Sequence, residues 1–60
     1  MPSEVRYAEA RRMLEAKGYF LNRIKGSHHN FVKAGVRSLS LPVHHGKVKY
    51  VYVRKIQNLP

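Results

Sequence analysis

The apolar positions of this 60-residue chain follow a helical spacing in its first third and an alternating spacing after it. Between Val5 and Leu14 the apolar side chains form a rough stripe along one side, which predicts an amphipathic helix over residues 4–17. Ser3 stands where its hydroxyl can cap the N-terminus of this helix, and Gly18 stands where a helix commonly ends.

Three short runs of apolar and branched residues follow, over 19–24, 28–33 and 38–43. The turn signals Lys25-Gly26-Ser27 and Ala34-Gly35 separate them. In the third run, apolar residues at odd positions alternate with serine and proline at even positions, as in a strand with one buried face. This pattern predicts a three-stranded antiparallel meander.

The last segment, from Lys47 to Leu59, has two interpretations. Helical spacing puts five apolar residues on one face, Val48, Val51, Tyr52, Ile56 and Leu59, and the basic pair Arg54-Lys55 suits the C-terminal half of a helix. The stretch is also rich in strand formers, so a fourth strand is the alternative. With the helix, the chain is predicted to be one α+β domain over residues 1–60. Its order is helix, three strands, helix, with both helices on one face of the sheet.

The charge balance is the strongest signal in the composition. Twelve lysines and arginines stand against three acidic residues, which gives a formal charge of +9, and no carboxylate side chain follows Glu15. A surface of this kind attracts polyanions, and RNA or DNA is the first candidate. An acidic protein partner satisfies the same electrostatics.

Other features of the composition exclude several classes of protein. The chain has no cysteine, so disulfides and cysteine-ligated zinc are excluded. It has no apolar run of membrane-spanning length and no signal-peptide core near its start, which predicts a cytoplasmic protein without membrane association. Nothing in the sequence calls for a cofactor.

Four histidines occur as two adjacent pairs, His28-His29 and His44-His45. Neighbouring residues of a strand point to opposite faces, so neither pair chelates a metal by itself. One member of each pair could share a face and offer ligands for zinc, but no nearby carboxylate completes such a shell. We therefore predict no metal site, and solvated or packed histidines are the ordinary alternative.

His28 differs from the other histidines in its expected surroundings. Alternation along the strand puts His28 on the face opposite to His29 and Phe31. Because Phe31 is expected in the core, His28 is expected on the open face of the sheet. An exposed histidine keeps a neutral fraction at pH 7 and can act as a general base.

RNA contains its own nucleophile, the 2′-hydroxyl group. A base that takes the proton of this group lets the oxygen attack the adjacent phosphate, and no metal ion is needed. Lys25, Arg23 and Lys33 are candidates for holding the phosphate and stabilising its added negative charge. The chain contains no aspartate for a Ser-His-Asp triad and too few carboxylates for a two-metal nuclease.

Three motifs succeed one another along the chain: Leu14-x-x-x-Gly18-Tyr19, Lys25-Gly26-Ser27-His28-His29-x-Phe31 and Leu41-Pro42-x-His44-x-Gly46-Lys47. Together they resemble the HicA family, the toxins of bacterial and archaeal toxin–antitoxin pairs. The resemblance extends from residue 5 to about residue 57. The sequence departs from the family over Tyr50-Val51-Tyr52, where members usually carry a Gly-Thr pair or a similar cap for the last helix.

The resemblance implies a fold like the double-stranded RNA-binding domain, α-β-β-β-α. It also implies a metal-independent ribonuclease that cleaves messenger RNA and an antitoxin of the HicB type that covers the active site. The family's catalytic histidine directly follows Gly-Ser, which is His28 here. The other motif residues, Gly26, Ser27, His44 and Lys47, join the candidate RNA-binding residues.

Two other functions remain compatible with the sequence. One is a non-catalytic RNA- or DNA-binding module, which would use the same basic surface. Tyr50 and Tyr52 are candidates for stacking on unpaired bases beside Arg54, although helical spacing favours Tyr52 in the core. The other is an interaction domain that docks on an acidic protein.

Overall fold

The computed structural model describes residues 3–60 as an α+β fold. Its elements, in chain order, are β1 Glu4–Arg6, α1 Tyr7–Ala16, β2 Phe20–Lys25, β3 His28–Val32, β4 Leu39–Pro42, β5 Lys47–Lys49 and α2 Tyr50–Gln57. Strands β2, β3 and β4 form an antiparallel sheet in that order, and β1 and β5 form a separate two-stranded sheet. The predicted order of helix, three strands and helix is confirmed, and each strand of the meander lies within one residue of its predicted bounds. Strands β1 and β5 are two further elements, which the predicted order does not include.

The hydrophobic core lies between the three-stranded sheet and the two helices. Eight buried residues form it: Ala10, Leu14, Tyr19, Phe31, Leu41, Val48, Val53 and Ile56. These come from α1, β3, β4, β5, α2 and the residue just before β2, and both helices cover the same face of the sheet. The predicted fold class is therefore confirmed, and the arrangement is compatible with a double-stranded RNA-binding-domain fold.

The first helix begins later than the sequence predicts. Glu4–Arg6 form strand β1, which is antiparallel to Lys47–Lys49, and Val5 lies opposite the buried Val48. The expected Ser3 cap is wrong: α1 starts after Arg6 without a side-chain cap, and the carbonyl of Ser3 accepts the Tyr50 N–H. Packing of the half-buried Val5 next to the buried Val48 outweighs one further turn of a solvated helix, because a helix end depends on tertiary packing.

The end of α1 follows the sequence prediction. Gly18 has φ +91°, and the N–H groups of Gly18 and Tyr19 donate to the carbonyls of Glu15 and Leu14. This pair of hydrogen bonds is a Schellman motif, which needs a residue in the left-handed region directly after the helix. Tyr19 then turns into the core and starts the path to β2.

The last segment combines its two interpretations. Its first three residues pair with β1 as a strand, and the helix starts only at Tyr50. No side chain caps α2, and its first N–H donates to the Ser3 carbonyl at 2.8 Å instead. Val53 is buried whereas Val51 is 56% exposed, so the apolar face of α2 is rotated from the predicted one. Within residues 3–60, neither helix is long and apolar enough to cross a bilayer.

Candidate functional site

The candidate site lies on the open face, the face of the three-stranded sheet that points away from the helices. Residues paired across neighbouring strands share a face, so the strand register shows which residues lie on the open face. They are Phe20, Asn22, Arg23, Lys25, His28, Asn30, Val32, Ser40 and Pro42. No carboxylate is among them. Six of the nine side chains are polar or basic, and Phe20 and Val32 form an apolar row at one edge.

His28 stands on the open face at the start of β3, as predicted. Its side chain is exposed, and Nδ1 lies 3.3 Å from the Oγ of Ser40 on β4. Within residues 3–60, no hydrogen bond engages the other ring nitrogen, Nε2. When Nδ1 carries the ring proton and donates to Ser40, the lone pair of Nε2 is available to a substrate. The geometry thus suits a general base with an oriented ring.

Arg23 and Lys25 lie beside His28 because of a β-bulge in β2. The register shifts between Leu21 and Arg23, so that Leu21 pairs with Phe31 on the core face. In a regular strand Leu21, Arg23 and Lys25 would share one face, because side chains alternate with period two. The extra residue reverses the alternation, and the leucine packs inward while both cations point to the open face.

Asn22 is the extra residue of the bulge. Its Nδ2 donates to the Oδ1 of Asn30 at 3.2 Å. Asn30 in turn lies directly between Arg23 on β2 and Ser40 on β4. This amide pair ties the bulge to the central strand and holds Arg23 in the row next to His28.

Gly26 and Ser27 form the two-residue turn that joins Lys25 to His28. Gly26 has φ +58° and the following serine has no positive φ, as in a type II′ hairpin turn. The carbonyl of Ser27 accepts the N–H of Val43 at 2.7 Å. The turn therefore sits at the same end of the sheet as His28, with its exposed backbone beside the cations.

His44 and Lys47 close a second tight turn near that end. Each donates its N–H to the carbonyl of the other at 2.9 Å, and His45 and Gly46 between them have φ +52° and +74°. Positive φ at both central positions is the signature of a type I′ turn. Because Val43 is bonded to the Ser27 turn, this hairpin brings the exposed His44 and Lys47 to the His28 end of the sheet.

Lys33 is the predicted site residue that the structure does not bring to His28. It follows β3 at the far end, five residues from His28, a separation of about 16 Å along a strand. Its Nζ lies 5.6 Å from the centre of the Tyr19 ring, and its side chain passes close to Gly18. Lys33 is an even number of residues from His29 and Phe31, so its side chain points to the same side of the sheet as theirs, toward the helices.

The opposite side of β3 carries His29, whose ring packs on Tyr7 with a centroid distance of 4.5 Å. The Nδ1 of His29 and the hydroxyl of Tyr7 are buried without a hydrogen-bond partner within residues 3–60. His28 and His29 therefore point to opposite faces, as the alternation predicted. Within the described chain, no three histidine or carboxylate side chains come together as metal ligands do.

Three features of the open face were missed by the reasoning from sequence. One is the contact of Ser40 with His28, although the alternation of β4 had put Ser40 on its polar face. The second is the bulge at Asn22, which no local signal marks. The third is Phe20, which is 68% exposed beside the buried Tyr19. Tyr50 and Tyr52, considered for stacking, are half-buried against the core, and Lys55 covers the Tyr52 ring.

Comparison with known proteins gives the family. No curated protein and no solved structure matched the chain. The family model described as the HicA toxin of bacterial toxin–antitoxin systems matches residues 7–58, from the first residue of α1 to just past the end of α2. Since this match covers nearly the whole sequence and includes the open face, the chain belongs to the HicA toxin family.

Proposed function

We propose that this protein is an endoribonuclease toxin that cleaves messenger RNA without a metal ion and uses His28 as its single catalytic histidine. One observation carries the proposal: an exposed histidine on a carboxylate-free basic face, with Nδ1 held by Ser40 and Nε2 open to a substrate. The family membership supports a toxin role.

In the proposed reaction the Nε2 of His28 takes the proton of an RNA 2′-hydroxyl. The 2′-oxygen then attacks the adjacent phosphorus, the new O2′–P bond forms, and the P–O5′ bond breaks. The leaving 5′-oxygen receives that proton from the imidazolium, directly or through a water molecule that passes it on, so charge and protons balance. The products are a 2′,3′-cyclic phosphate and a free 5′-hydroxyl, and the base has returned to its neutral form.

Arg23 and Lys25 are proposed to bind the reacting phosphate and its neighbour. Lys25 lies directly across from His28, and Arg23 lies across from Asn30, one step further along the open face. Cations fixed next to the attacked phosphorus stabilise the charge that develops there. Gly26, Ser27, His44 and Lys47 surround the same end of the sheet and extend the proposed contacts with the RNA backbone.

We propose a HicB-type antitoxin as the protein partner and the cytoplasm, where messenger RNA is translated, as the place of action. A protein with a formal charge of +9 and no carboxylate after Glu15 suits an acidic partner that covers the basic face. Such a partner would compete with RNA for the same cations.

The direct test is cleavage of RNA by the purified protein in EDTA, with wild type beside His28→Ala. We expect cleavage by wild type and a loss of at least about a hundredfold in the variant, the usual contribution of a general base. His45→Asn is the matched control, since it also removes an exposed histidine and asparagine tolerates the positive φ of that position. Full activity in His28→Ala would refute the site, and RNA binding without cleavage by wild type would indicate a non-catalytic module.

A further inference from the structure

Phe20 is the most exposed of the large hydrophobic side chains among residues 3–60. It is 68% exposed, whereas its neighbours in sequence, Tyr19 and Leu21, are buried and half-buried. The register places Phe20 opposite Val32 on the open face, at the end of the sheet remote from the Gly26 turn. Phe20 is not among the residues of the hydrophobic core or those packed against it, so the core does not explain this ring.

The surroundings of Phe20 favour a nucleic acid over an apolar protein surface. The structure has three other exposed large hydrophobic residues among 3–60, and all lie away from the open face. Ile24 points to the other face of the sheet, Val36 lies in the β3–β4 loop, and Val51 lies on α2. Phe20 therefore does not join them in a continuous apolar patch. Val32 lies directly opposite it, and the next two rows of the open face carry amide and cationic side chains. An aromatic ring next to a basic surface is typical of proteins that bind single-stranded nucleic acid.

The distances along the sheet connect Phe20 to the proposed reaction. Three rows cross the open face in order: Phe20 with Val32, Arg23 with Asn30, and Lys25 with His28. Val32 and His28 are four residues apart on β3, so the first and last rows are about 13 Å apart. Arg23 lies between them, where a backbone phosphate would pass. An RNA strand with its reacting phosphate at His28 can thus follow the strands and place a base over the Phe20 ring.

We propose that Phe20 is a stacking platform for an unpaired base of the RNA bound at His28, and that the substrate is single-stranded across this face. The inference rests on the proposed function for the position of the reacting phosphate. A base inside a duplex is stacked on both sides by its neighbours, so its ring face is not accessible to Phe20. Stacking of this kind tolerates any base, since every base has an aromatic face.

Fluorescence tests the proposal directly, because the chain has no tryptophan. Phe20→Trp, combined with His28→Ala to keep the RNA intact, is titrated with a mixed-sequence oligoribonucleotide, single-stranded or annealed to its complement. We expect quenching of the introduced indole by the single strand and little by the duplex. Val51→Trp in the same background is the control and should not be quenched. Binding of the single strand without quenching, or equal quenching by the duplex, would overturn the proposal.

Affinity gives a second readout that does not depend on the reporter. Phe20→Ala should weaken single-strand binding by about fivefold or more, the range for loss of one stacked base. The salt dependence of RNA affinity should be the same in Phe20→Ala as in wild type, because no charge is removed. Val51→Ala should bind as wild type does.

The failures of the two proposals are distinguishable. If His28→Ala abolishes cleavage but Phe20→Ala binds RNA like wild type, the stacking proposal alone fails. If Phe20→Ala instead loses binding to an acidic antitoxin with RNA affinity unchanged, the ring belongs to a protein interface and the proposal is wrong. If wild type neither binds nor cleaves RNA, both proposals fail together.

Discussion

The imidazole Nδ1 of His28 lies 3.3 Å from the hydroxyl Oγ of Ser40 on the neighbouring strand. The two residues are not directly opposite: His28 pairs with Pro42, and Ser40 pairs with Asn30, so the contact runs diagonally across the open face. Diagonal neighbours on one face of a sheet are within reach of long side chains. The contact orients the ring, and when Nδ1 carries the proton and donates to Ser40, Nε2 is left as the free base, so we propose Ser40 as a positioning residue for His28.

Ser40→Ala should therefore lower kcat by about three- to tenfold with little change in KM, in line with the loss of one hydrogen bond. Ser40→Thr keeps the hydroxyl and should restore most of the rate, which a merely structural role would not require. Initial rates on one oligoribonucleotide measure both parameters. An effect on KM alone would mean that Ser40 contacts RNA and does not orient the ring.

The cations of the open face should contribute to RNA binding through charge. Arg23→Gln and Lys25→Gln should each reduce the slope of log affinity against log salt by about 0.7, the value for one phosphate contact on a single strand. Arg54→Gln, on α2 and away from the open face, should leave the slope nearly unchanged. Equal effects of all three variants would indicate a general influence of net charge without a defined path for the RNA.

Lys17 connects the ends of the two helices. Its Nζ donates to the carbonyl oxygens of Gln57, at 3.2 Å, and of Leu59, so a cation neutralises the C-terminal end of α2. Lys17→Met should lower the free energy of unfolding by about 1 kcal/mol, which corresponds to a fall in Tm of about 4–8 °C for a domain of this size. Thermal unfolding followed by circular dichroism measures it. Lys25→Met removes an exposed lysine from β2 and should leave Tm close to that of wild type.

Tyr7 carries a buried hydroxyl without a hydrogen-bond partner within residues 3–60, next to the His29 ring. An unsatisfied buried hydroxyl is costly, so Tyr7→Phe should be neutral or stabilise the fold by about 1 kcal/mol. Urea unfolding gives this difference, with Tyr50→Phe as the control. If Tyr7→Phe instead lowers the free energy of unfolding by more than about 1 kcal/mol, the Tyr7 hydroxyl is hydrogen-bonded in solution and this prediction is wrong.

Much of this architecture follows from local signals. Glycine at the end of α1, the Gly26 turn and the alternation of β4 each act within a few residues, so the sequence predicts the meander, the end of the first helix and the exposure of His28. Two adjacent histidines on a strand point to opposite faces for the same local reason. The motif residues on either side of His28 then carry the family resemblance.

Other features depend on contacts between residues far apart in the chain. Glu4–Arg6 form a strand because they lie against Lys47–Lys49, some forty residues away, and no local pattern distinguishes this from a first turn of helix. The bulge at Asn22 exists because Leu21 packs inward while Arg23 does not. Charge groups Lys33 with Arg23 and Lys25, but its position directly after β3 places it at the other end of the sheet.

The sequence by itself thus determined the order of the main elements, the charge of the surface and the identity of the candidate base. Those properties depend on composition and on the periodic direction of side chains along helices and strands, both of which can be inferred from the sequence without long-range contacts. Only the tertiary structure decided which side chains surround His28, that Phe20 lies open beside the cations, and where both helices begin. These depend on strand register and on burial of apolar surface between distant segments, which a linear pattern does not contain.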